Sequence, residues 1–290
     1  MNNHKEVIYT INGQRIHAHE EGPENAQVAL MIHGWSSSWY AMSPLLPILS
    51  RRYRCVVVDL PGFGESPRMS QRATIPAYAE LITQLVQEVT DRPVVFVGHS
   101  MGGMISLNIT LKQPELVERL ILIGPTITGR LSLFITLFIS PITFVERLGW
   151  SNAIVSRLEP LFLGITDGLM RPSQFAQQTN IREADYHRLR ADARRRGQGR
   201  IRSECYRAMR DNNLRGKLRD IKTPALVIWG LEDNTVPLRD ASVLAQEWPE
   251  ADLRFIPNAG HWPHFETPLL IERYVRAFLN TPIKLLTVEF

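Results

Sequence analysis

Val94-Val95-Phe96-Val97-Gly98-His99-Ser100-Met101-Gly102-Gly103 is the stretch from which the rest of the chain is read. Its opening apolar run suits a strand buried on both faces, and Met104 to Leu111 behind it suits a helix. Between them stands Gly-x-Ser-x-Gly. A strand that turns at once into a helix brings its flanking backbones close together, so small residues are needed two before and two after the apex. Gly98 and Gly102 meet that need. Ser100 is then the exposed apex, and the N–H of Met101, at the helix N-terminus, points toward an anion forming beside the Ser100 oxygen.

Outward from this turn the same pattern repeats. Val28 to Ile32, Cys55 to Val58, Leu120 to Ile123, Ala225 to Trp229 and Leu253 to Ile256 are short apolar runs bounded by turn residues. Tyr78 to Val89 carries Leu81, Ile82, Leu85, Val86 and Val89 on one helical stripe. Val7 to Ile11 and Arg15 to His19 meet at Asn12-Gly13, which accepts the positive φ angles of a hairpin turn. The expected fold is α/β: a mostly parallel, doubly wound sheet of about eight strands. The alternation stops between Gly124 and about Lys217, where helical segments are punctuated by prolines. Residues 1–124 and 217–290 are expected to form the core, and 125–216 an inserted helical cap.

Composition excludes several classes. With 290 residues, 44% hydrophobic and 21% charged, the chain is neither disordered nor fibrous. A net charge of +4 gives no case for a nucleic-acid partner. Cys55 and Cys205 give no disulfide framework and no metal spacing. Gly62-Phe63-Gly64-Glu65-Ser66-Pro67 lacks the third glycine of a dinucleotide fingerprint, so no cofactor is implied. The polar opening Met1 to Glu6 has no apolar run behind it, which makes a cytoplasmic enzyme the expectation.

A serine hydroxyl needs a base to take its proton, and the base needs a third group to orient it. Strand Ala225 to Trp229 is followed by Gly230-Leu231-Glu232-Asp233, and strand Leu253 to Ile256 by Asn258-Ala259-Gly260-His261. Ser100, Asp233 and His261 therefore sit past the carboxyl ends of three strands, in the order Ser, acid, His. Glu232 and His264 are the competing acid and base. His99 is read as structural, Asp59 as stabilising its own turn, and His17 and His19 as surface residues lacking a third metal ligand.

These motifs, with His33-Gly34-Trp35 and Asp59-Leu60-Pro61-Gly62-Phe63-Gly64-Glu65-Ser66, make the chain resemble the α/β-hydrolase fold superfamily of serine esterase, lipase and haloperoxidase type, with a helical cap. The resemblance implies Ser100, Asp233 and His261 as catalytic residues, and the N–H groups of Trp35 and Met101 as an oxyanion hole. His33, Gly34, Phe134, Phe138 and Trp262 are expected to contact a small apolar ester-like substrate, and no metal is expected. The implied activity is cleavage of a carboxylic ester, thioester or lactone through an acyl-enzyme. Carbon–carbon bond hydrolysis is the runner-up, disfavoured because such relatives commonly carry Asn where this chain has His99. A non-catalytic receptor for a hydrophobic ligand is the alternative from another class.

The cap region is unusual twice over. Leu131 to Val145 holds no charge, yet it falls short of the roughly 20 residues that span a bilayer. Arg182 to Arg219 holds twelve Arg and one Lys against five acids. Together they raise the expectation of a peripheral contact with anionic lipid through the cap, against the alternative that both serve the cap's own packing.

Overall fold

The computed structural model describes residues 4–133, 135–137, 174–176, 181–193, 195 and 198–286. Eight strands form one sheet: β1 (Lys5–Ile11), β2 (Gln14–Glu21), β3 (Val28–Ile32), β4 (Arg54–Val58), β5 (Val94–His99), β6 (Val117–Ile123), β7 (Ala225–Gly230) and β8 (Asp252–Ile256). Their order is β1-β2-β4-β3-β5-β6-β7-β8. The hairpin β1-β2 pairs antiparallel, β2 joins β4 antiparallel, and every later pairing is parallel. Asn12 and Gly13 turn the hairpin at φ +49° and +82°, as the dipeptide demands.

Alternation within the strands supplies two cores. Leu30, Val56 and Phe96 face one cluster, while Met31, Val57 and Val97 face another. On the first face lie α1 (Ile75–Val89), α2 (Met101–Lys112) and, later in the chain, a helix over Leu238–Glu247. The second face is covered by the turns around Leu45 to Leu49 and the helix Pro268–Asn280. Strands buried on both faces need no polar positions, which explains why their sequences read as continuous apolar runs.

Thr74 caps α1 by accepting the Ala77 N–H at 3.1 Å. Pro76 follows in the first turn, where its missing N–H costs no bond. Between β6 and β7 the described residues hold α3 (Glu183–Ala193) and α4 (Gly199–Asp211), and no strand. In that order α5 is Leu238–Glu247 and α6 is Pro268–Asn280. Among the described residues no helix is long and apolar enough to cross a membrane.

Candidate active site

Adjacent parallel strands end at one edge, and their carboxyl ends carry the site. Ser100 joins β5 to α2 with φ 54° and ψ −114°, a left-handed conformation rare outside glycine. Its N–H donates to Ile123 O of β6 at 3.0 Å, and its carbonyl accepts Thr126 N–H at 3.2 Å. The flanking glycines are required by contact. A Cβ at Gly102 would lie 2.2 Å from Ile32 O, and one at Gly98 would lie 2.7 Å from the Gly103 backbone.

Asp233 and His261 follow β7 and β8. His261 Nδ1 donates to Asp233 Oδ2 at 2.8 Å, and Oδ1 accepts the N–H groups of Thr235 and Val236 at 2.8 and 2.9 Å. The carboxylate is thus held by two amides and an imidazole, and it fixes the tautomer that leaves Nε2 as an acceptor. Gly124, at φ +47°, lets the β6 exit pass beneath this pair, since a Cβ there would meet both Asp233 Oδ2 and His261 Nδ1 at 3.3 Å. Glu232 is otherwise engaged, accepting the Ala259 N–H at 3.1 Å.

Ser100 and His261 line one pocket with about 420 Å³ of empty space, its mouth included. Gly34, Trp35, His99 and Trp262 line it too; Leu131, Ile135 and Met209 add apolar walls, and Gln174 and Thr235 polar ones. Met101 opens α2, where the first N–H groups of a helix have no acceptor in their own helix. Phe134, Phe138 and Phe144 lie outside the described residues, as do Arg194 and Arg196.

His33 corrects its expectation. It is fully buried, its Nε2 accepts the Leu60 N–H at 3.0 Å, and its Nδ1 donates to Gly34 O at 2.7 Å. With both ring nitrogens taken by backbone, it braces the loop that carries Gly34 and Trp35 instead of touching substrate. His17 and His19 are also not surface residues. His17 bonds Asp59 at 2.9 Å, and His19 stacks on Trp39 at 4.0 Å between ring centroids. Asp59 serves its turn by accepting the Glu65 N–H at 2.9 Å, and also reaches Trp39 N–H at 2.7 Å.

The neighbouring imidazoles are bonded to backbone carbonyls. His99 Nε2 donates to His261 O at 3.0 Å, and burial drives its pKa well below the ordinary histidine range. His264 is buried, not pocket-lining, and donates from Nε2 to Ala41 O at 2.8 Å; burial pushes it down to about 3.

Helices α3 and α4 are fastened to the loop after β3. Trp35 Nε1 donates to Arg202 O at 2.9 Å, Tyr40 OH to Asp185 at 2.7 Å, and the Ser38 hydroxyl to Asp192. Arginines of this region are engaged with acids too: Arg182 with Asp185, Arg188 with Asp192, Arg195 with Glu65 and Arg200 with Glu204. Sequence patterning carried no signal for these contacts, because each joins residues far apart in the chain or depends on helix phase.

Sheet order, the strained serine turn and the motifs at the strand ends define an α/β hydrolase. The chain belongs to that family, whose pattern, described as alpha/beta hydrolase fold, matches residues 28–268. Among its relatives is the uncharacterized hydrolase YugF of Bacillus subtilis (strain 168), 27% identical, with 94% of this chain and 97% of the relative covered. A 2-hydroxy-6-oxononadienedioate/2-hydroxy-6-oxononatrienedioate hydrolase of Comamonas testosteroni is 26% identical over 91% of each chain. In structure, the carboxylesterase CesB (YbfK) from Bacillus subtilis superposes with a TM-score of 0.77 at 18% identity, covering 96% of this chain and 92% of its own. That likeness is one of fold.

Proposed function

We propose that this chain is a cofactor-independent serine hydrolase cleaving a carboxylic ester, thioester or lactone with an apolar moiety. The supporting observation is one pocket that holds Ser100, at its left-handed turn, and His261, bonded at 2.8 Å to Asp233. Ser100 Oγ attacks the carbonyl carbon while its proton passes to His261 Nε2. The oxyanion is received by the N–H groups of Trp35 and Met101, and Asp233 steadies the imidazolium. The leaving alcohol or thiol departs with the proton, and water repeats the sequence on the acyl-enzyme. Leu131, Ile135, Met209 and Trp262 would take the apolar part.

A panel of p-nitrophenyl esters tests this: kcat/KM should rise from acetate toward longer acyl chains, and turnover no faster than the buffer blank across the panel would end the ester proposal. The second reading, carbon–carbon bond hydrolysis, draws on the 26% identity to the Comamonas testosteroni hydrolase. Turnover of a 2-hydroxy-6-oxo dienedioate in place of the esters would select it.

A further inference from the structure

One buried carboxylate is bonded both to the loop that carries His261 and to a cap segment. Glu266 closes the turn Pro263–Glu266 and is 6% exposed. Its Oε1 accepts the Gly260 N–H at 2.8 Å, and its Oε2 accepts the Ala176 N–H, also at 2.8 Å. Beside it, the His261 N–H donates to Gln174 O at 2.8 Å. Residues 174–176 and 260–261 are thus laced together, once directly and once through the carboxylate.

Gly260 makes the approach feasible. A Cβ there would stand 2.5 Å from Gln174 O and 3.0 Å from Ala176 N, too close for any other residue without movement. Gln174 in turn lines the pocket with Ser100 and His261. Burying a carboxylate is costly unless donors are aimed at it, and burial raises Glu266 above the ordinary carboxylate range. A side chain needed only to fill space would be apolar. This one instead satisfies two amides from segments 84 residues apart, counting from Ala176 to Gly260.

We propose that Glu266 is a positioning residue that holds the Gln174 wall of the substrate pocket and the His261 loop in fixed relation, so that one side chain governs both substrate fit and the placement of the imidazole. Its kinetic consequences rest on the serine hydrolase reading. The mechanical coupling does not, and can be measured without substrate.

The test compares wild type with Glu266→Ala, Glu266→Gln and Gly260→Ala by amide hydrogen exchange and by ester kinetics. In Glu266→Ala, exchange at Ala176, Gly260 and His261 should quicken about tenfold or more, the value of one charge-assisted bond, while Val95 to Val97 keep their protection. The kcat for p-nitrophenyl acetate should fall, and a long-chain ester should also show a raised KM. Glu266→Gln, which keeps one acceptor oxygen, should fall between. Gly260→Ala should move kcat and KM in the same directions with the carboxylate intact, and with Glu266→Gln it decides the matter if Glu266→Ala does not fold. Unchanged exchange at Ala176 and Gly260, or wild-type kcat and KM beside a lowered Tm alone, would overturn the proposal and leave Glu266 a packing residue. Wild-type protein that turns over no ester would sink the ester reading, and exchange would still decide the coupling.

Discussion

His99, His261 and His264 form a chain of rings, with centroids 4.7 Å apart from His99 to His261 and 5.1 Å from His99 to His264, yet only His261 has a carboxylate partner. The other two are kept neutral by burial, and this has a consequence for stability. Unfolded, a histidine takes up its proton as pH falls through about 6.5. Folded, His264 resists until about 3. The unfolded state therefore binds more protons throughout that window, and stability is lost as pH falls from about 6.5, by about 1.4 kcal/mol per pH unit for each such group. Urea unfolding at pH 7, 6, 5 and 4.5 should show this slope, and His264→Phe should flatten it by about one proton per molecule, whatever it does to stability at pH 7. An unchanged slope would mean that His264 is charged in the fold. The sequence distinguished His261 from His264 through its place in Asn258-Ala259-Gly260-His261. It misplaced His33, because a histidine in a loop beside the nucleophile looks the same in sequence whether it faces the pocket or the backbone beneath.

Among elements, strands were more legible than their connections. All eight strands begin or end within a few residues of their predicted runs; in β3, β5 and β7 burial on both faces writes itself into every position. The exit from β6 is different. Asp240, in α5 and fully buried, accepts Ile127 N–H at 2.8 Å, Thr128 N–H at 2.9 Å and the Thr128 hydroxyl at 2.8 Å. It thereby pins the chain where it leaves the sheet after β6. No periodicity announces a helix residue whose partners lie 112 and 113 residues earlier. Asp240→Ala strands three donors at once and should cost on the order of 3 kcal/mol in urea unfolding, with Asp240→Asn milder because one acceptor survives. A loss below about 0.5 kcal/mol for Asp240→Ala would show that the exit holds without it.

For the whole molecule, parallel topology brings Ser100, Asp233 and His261 to one sheet edge although 161 positions separate the first from the last. That convergence was legible because each residue follows an identifiable strand. The packing of the segment expected as a cap was not, since helical segments without strands say little about where they pack, and four of the twelve arginines that suggested a lipid surface are engaged with Asp185, Asp192, Glu65 and Glu204. Leu133 and Leu137 remain 73% and 63% exposed beside the pocket residues Leu131 and Ile135. Co-sedimentation with anionic vesicles at low salt measures what they do. The lipid expectation requires pelleting that weakens as salt rises and on Leu133→Ser with Leu137→Ser, and no pelleting retires it. The central claim is that Ser100 is the nucleophile, and a fluorophosphonate probe with mass-spectrometric site mapping tests it most directly. Ser100 as nucleophile predicts labelling at that residue alone, with Ser100→Ala unlabelled and ester turnover reduced by about 10⁴-fold or more; labelling at another residue, or a Ser100→Ala variant that keeps a tenth of wild-type activity, would contradict it.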